Sequence, residues 1–231
     1  MSQSVYVDGA INAEVVRRRQ DERAMMNTVP NDAMDYTGTR WTPPVNDTTV
    51  QLGDFTVYAS VKAAIDAACT EYTIDPKFMY AMCAQESGFN PNARNTAGGQ
   101  SGLFQFSYDV ALYYGIVTGV FDPVINAEAC GRYISDARAT FKFLNETEVN
   151  PTSPQLYLQM FMGQEGGAKF VKLVETDPTG SATTAVDELV RGLPAALPTI
   201  FQTYDGQSRT NQQVYTLLTT ILTSRMPLLY V

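Results

Sequence analysis

Residues 75–93 read DPKFMYAMCAQESGFNPNA, from Asp75 to Ala93. Asp75 followed by Pro76 is a helix start, a capping carboxylate and then proline at the first helical position, where its missing N–H does no harm. Met79, Met82, Cys83 and Glu86 follow at i, i+3, i+4 and i+7, so one helical face carries all four. Glu86 therefore continues an apolar stripe, which aims its side chain at the interior or at a cleft. Desolvation there, and the negative end of the helix dipole, both favour the protonated acid and raise its pKa. Such an acid can protonate the leaving oxygen of a glycosidic bond. The plainer alternative is a Glu that reaches solvent from the helix end or caps a loop amide.

The loop that follows bears on this choice. Asn90, Asn92, Asn95, Gln100 and Gln105 supply neutral hydrogen-bonding groups, and Phe89, Phe104 and Phe106 supply flat apolar faces. That mixture suits an uncharged polyhydroxylated ligand, with amides for hydroxyl and acetamido groups and rings for sugar faces. Gly98, Gly99 and Gly102 allow close backbone approach. Core packing is the alternative role for the phenylalanines.

Outward from this stretch the chain reads as mainly α. Val57, Val61, Ile65, Ala68 and Tyr72 fall on one helical face from Phe55 onward. Asp122-Pro123 repeats the start signal before a long helix striped by Cys130, Tyr133, Ala137, Phe141 and Leu144. Shorter helices are expected over 154–162, 167–175, 184–192 and 211–224, and no segment shows sustained period-two alternation. Residues 1–54 have little periodic apolar pattern and read as an extended N-terminal arm, with a short helix around 13–26. Such an arm buries too little apolar surface to order alone, so it is expected to dock on a partner. Its Arg17-Arg18-Arg19 run is either a solvated face or a site for an acidic partner surface.

Composition narrows the chemistry. The 231 residues carry a net charge of −8, which speaks against general nucleic-acid or anionic-membrane binding. There is no histidine, so His-based triads, most zinc sites and the commonest general base are excluded. Carboxylates, hydroxyls, amides or thiols must do the work, and no cofactor is expected. The three cysteines, Cys69, Cys83 and Cys130, lie in helical segments and read as buried, reduced thiols. No apolar run is long enough for a membrane span, and the N-terminus lacks the apolar core of a secretory signal, so synthesis in a cytoplasm is expected.

ESGFNPNARNTAGGQSGLFQFS, residues 86–107, resembles the signature of the lytic transglycosylases related to goose-type lysozyme (the SLT family): Glu-Ser, an aromatic, Asn-Pro-x-Ala, then Gly-Leu-Met/Phe-Gln. FDPVINAEACGRYI is similar to the family's Asp-Pro-x-x-Asn-x-x-Ala-Gly-x-Tyr-Leu helix. YLQMFMGQEGGAKFV looks like the phage branch's third motif, and TIFQTYDGQSRTNQQVY resembles the tail segment of phage-encoded members. Together these cover roughly residues 56–224.

The resemblance implies a lysozyme-like α domain over 55–231 that cleaves peptidoglycan between N-acetylmuramic acid and N-acetylglucosamine. It implies Glu86 as the single catalytic carboxylate, yielding a 1,6-anhydro product without consuming water. Gln105 and Ser101 would line the glycan cleft, and Asn95 falls where several members carry a helper Ser. Ser87 and Phe104 belong to the same motifs and are expected at the substrate. A phage origin would make the protein a virion component, held by its arm to tail, baseplate or ejected core proteins, that opens the host wall during DNA entry.

No carboxylate lies between Glu86 and Asp109, so the motif loop offers no second acid. A water-using muramidase would need one, with Asp109 or Glu165 as candidates; helix N-terminal charge and a solvated loop are their plainer roles. Many cellular members have a Tyr in the third motif that touches the catalytic carboxylate. Here the run before Gly163 is Met160-Phe161-Met162, so Tyr157, Tyr133 or a loop amide is left to orient Glu86. A non-catalytic tail or baseplate protein retaining the fold is the third reading.

Overall fold

The structure, a computed structural model, describes residues 38–95, 99–183, 198–201 and 207–226. The expected helices at 13–26 and 184–192, the Arg17-Arg18-Arg19 run and Gly98 lie outside the described residues. Helices dominate, and the chain divides into two compact units.

The described residues of the first unit are 38–95, 99–133 and 222–226. It opens with a hairpin of β1 (Thr49–Leu52) and β2 (Phe55–Tyr58), paired antiparallel with Leu52 opposite Phe55. Gly53, at φ 57°, takes the first turn position, where a side chain would be strained. The hairpin straddles the arm–domain boundary expected between residues 54 and 55. Phe55–Tyr58 is strand and not the start of a helix, because aromatic and β-branched residues suit a pleated, half-buried edge. The following helix, α1 (Ala59–Glu71), begins one turn later than its apolar spacing suggests. Its first turn is closed from outside: Asp47 accepts from the Ser60 N–H at 3.2 Å and from its hydroxyl at 2.5 Å.

Helix α2 (Pro76–Glu86) starts as expected, with the Asp75 carboxylate accepting from the Lys77 N–H at 3.0 Å. Phe78 through Ala84 are all buried, so the helix is enclosed on every face and only its ends reach the surface. A short antiparallel pair, β3 (Arg94–Asn95) and β4 (Gln100–Ser101), follows. Next come α3 (Tyr108–Tyr113) and α4 (Pro123–Asn145), whose Cys130, Tyr133, Ala137 and Phe141 are buried as the spacing predicts. Cys69, Cys83 and Cys130 are free and buried, and burial pushes the thiols of Cys69 and Cys83 up to about 12, which leaves them unreactive.

The described residues of the second unit are 134–183, 198–201 and 207–221. In it α5 (Ser153–Met162) is closed by a capping box between Thr152 and Gln155 and joined through Gly163, at φ 76°, to α6 (Gln164–Thr176). Gly167 lets these helices touch, since a Cβ there would lie 2.4 Å from the Gln159 main-chain nitrogen. Phe141, Leu158, Phe170, Val171, Val214 and Leu218 form the centre of its core. The last two come from α8 (Asn211–Arg225), which follows the short α7 (Pro198–Phe201). No helix among the described residues is long and apolar enough to cross a membrane.

Candidate active site

Glu86 is the last residue of α2, half-buried where the enclosed helix surfaces. Burial alone pushes its carboxyl up to about 7. Water is removed from the charged form and nothing compensates: among the described residues no hydrogen-bond donor or cation is paired with the carboxylate. Ser87 turns back onto the helix, its N–H and its hydroxyl both donating to the Cys83 carbonyl, at 3.0 and 3.2 Å. Two residues in the left-handed region then reverse the chain, Gly88 at φ 59° and Phe89 at φ 62°. For a phenylalanine that conformation is strained, and it is held by packing of the ring against Phe55 at 5.3 Å and Tyr80 at 6.4 Å.

The loop beyond is closed by its own amides. Asn90 accepts from the Asn92 N–H at 2.9 Å, and the Gly102 N–H donates to the Ala93 carbonyl at 2.9 Å. Ser101 and Phe106 exchange two main-chain bonds of 3.0 Å. Between them Gln105 sits at φ 48°, and its side-chain nitrogen donates to the Gly102 carbonyl at 2.8 Å and the Ala93 carbonyl at 3.3 Å. The nitrogen of Gln105 is thus committed to the loop, and its oxygen is the atom left to meet a ligand.

The residues expected at the substrate fall into two groups. Glu86, Ser87 and Gln105 are half-buried and Asn95 is exposed on β3. Ser101 and Phe104 are enclosed, the latter 3% exposed, and the Ser101 hydroxyl has no hydrogen-bond partner among the described residues. Phe89 and Phe106 are equally enclosed; the Phe106 ring packs against Tyr114 and Tyr133, at 6.3 and 6.4 Å. Core packing is thus what these rings do here. Of the alternative acids, Asp109 is half-buried in the first turn of α3, and Glu165 pairs with Lys169 at 3.5 Å within α6.

One residue that holds this loop escaped the sequence reading. Asn126, fully buried in the first turn of α4, accepts from the Phe104 N–H at 3.1 Å and donates to the Val120 carbonyl at 2.8 Å. A signal existed, because Asn126 precedes Cys130 and Tyr133 by four and seven residues and is the polar member of their buried stripe. A buried amide with both ends satisfied fixes its neighbours more firmly than an apolar side chain of the same size, because breaking it strands polar groups. The loop around Gly102 is therefore clamped from the helix beneath it.

Residues 63–148 match the family model described as the Transglycosylase SLT domain. The matched segment begins inside α1, contains Glu86 and its loop, and ends just beyond α4. This segment is thus similar to the transglycosylase SLT domain, and the mainly helical architecture agrees with the lysozyme-like fold of that domain.

Proposed function

We propose that this protein is a lytic transglycosylase of the lysozyme-like type that cleaves the β-1,4 bond between N-acetylmuramic acid and N-acetylglucosamine, with Glu86 acting twice. The observation that carries the reading is the place of Glu86 at the surfacing end of a buried helix, where burial raises its pKa to about 7. A carboxyl that is half protonated near neutral pH can give its proton to the bridging oxygen as the bond to C1 breaks. Once ionised, the same group takes the proton of the muramoyl C6 hydroxyl as that oxygen bonds to C1. The 1,6-anhydro ring forms, Glu86 ends protonated, and no water is consumed. The Gln105 oxygen and the exposed Asn95 amide are suited to hold hydroxyl and acetamido groups beside it.

The same reading makes the protein a component of a phage particle that opens the host wall as DNA enters. Its support is the resemblance of residues 157–171 and 199–215 to phage-encoded members. Partner structural proteins would be met through the arm, whose residues 1–37 lie outside the described residues.

Release of soluble fragments from purified peptidoglycan, followed against pH, tests the catalytic assignment. Glu86 must start protonated, so kcat/KM should fall as pH rises through about 7, approaching tenfold per pH unit above it. An alkaline limb near the ordinary carboxyl range, or no release at any pH, would contradict the assignment.

A further inference from the structure

Six residues beyond Glu86, the loop is gripped by a segment that precedes the hairpin in the chain. The Trp41 N–H donates to the Asn92 side-chain oxygen at 2.9 Å, and the Asn92 side-chain nitrogen donates to the Trp41 carbonyl at 2.8 Å. An asparagine side chain here pairs with a main chain as a neighbouring strand would, closing both polar ends of its amide. Arg40 adds a charge-assisted bond of 2.6 Å to the Asn92 carbonyl. Its guanidinium also lies 4.2 Å from the centre of the Phe121 ring.

These contacts reach both halves of the site loop. Asn92 adjoins Ala93, whose carbonyl accepts from the Gly102 N–H and from the Gln105 side chain. Phe121 adjoins Asp122, which caps α4 by accepting from the Val124 N–H at 2.8 Å, and α4 carries the Asn126 clamp on Phe104. Gly38 fits the same surface: a Cβ there would lie 2.6 Å from the Thr118 carbonyl. Trp41 is anchored in turn by an edge-on contact with Tyr58, ring centres 5.4 Å apart.

We infer that Arg40 and Trp41 form a strap that positions the described parts of the substrate loop, residues 90–95 and 99–105, with Asn92 as its receiving residue. None of the three touches the Glu86 carboxylate, so they are positioning residues and act on the loop alone. The catalytic part of this inference rests on the proposed function; the mechanical part does not. The strap precedes the matched transglycosylase segment, so a domain trimmed to residues 63–148 would lack it.

Arg40→Ala and Asn92→Ala in the full chain test it by two independent readouts. Arg40 is exposed, so its replacement leaves the core intact. In hydrogen exchange, both variants should speed exchange of the Gly102 amide about tenfold, the effect of losing one or two hydrogen bonds, while the amides of α2 keep wild-type rates. In peptidoglycan cleavage, KM should rise about tenfold while kcat stays within about twofold and the alkaline limb does not move. Unchanged exchange at Gly102, or a fall in kcat at constant KM, would overturn the strap. If the wild-type protein released no fragments, the proposed function would fail, and the exchange data would still decide the strap.

Discussion

Glu86→Gln is expected to lower fragment release from peptidoglycan by about three orders of magnitude or more, toward the upper end of what loss of one general acid–base group produces. Glutamine keeps the shape and the neutral character of the protonated acid but can neither give a proton nor take one. In a scheme where one carboxyl serves both half-steps, both are lost together. The fold should not suffer, and the sign of the effect can be stated. A group whose pKa rises from 4.5 to about 7 on folding contributes its full stability below about pH 4.5 and loses it as pH climbs through 7. That shift corresponds to about 3 kcal/mol at most, and to about 2 kcal/mol once solvent screening at a half-buried site is allowed for. The variant should therefore match the wild type in thermal unfolding at pH 4.5 and exceed it at pH 8. Full activity in Glu86→Gln would remove Glu86 from the mechanism, and equal stability at both pH values would remove the burial argument.

Gly102→Ala is expected to destabilise the protein by about 3 kcal/mol or more, from a strained backbone and an overpacked contact acting together. Gly102 is buried at φ 84°, where a side chain raises the backbone energy. The added Cβ would also lie 2.3 Å from both the Asn126 side-chain nitrogen and the Val120 carbonyl oxygen. Those two atoms bond each other and hold the Asn126 amide where its oxygen meets the Phe104 N–H, so neither can retreat without loosening the clamp. Urea unfolding reads the loss, and fragment release should fall with it because Gln105 is held by the Gly102 carbonyl. A loss under about 1 kcal/mol would show that the loop accommodates the methyl and that the clamp is loose.

Much of this site is legible in the sequence because its signals are local. The Asp75-Pro76 start, the apolar run through Ala84 and the Glu86 register all lie within twelve residues and specify one helix. The hairpin at 49–58 is less legible: its strands have four residues each, and Val57 stands at helical spacing from Val61, so period alone favours the longer helix. The burial of Phe89 and Phe106 depends on residues distant in sequence, Phe55 against the first and Tyr133 against the second, which no local pattern states. The strap is the extreme case. Asn92 and Trp41 are 51 positions apart, and neither residue type announces a partner at that distance. Asn126 lies between, since its polar place on an apolar stripe was visible but its partners were not.

The most direct test is the chemistry of the cut end. Purified peptidoglycan digested in heavy-oxygen water should yield muramic ends that are one water lighter than hydrolysed ends and carry no heavy oxygen, because the C6 hydroxyl and not solvent attacks C1. Muramic ends that incorporate heavy oxygen would show that water is the nucleophile, and would contradict a Glu86 that works alone.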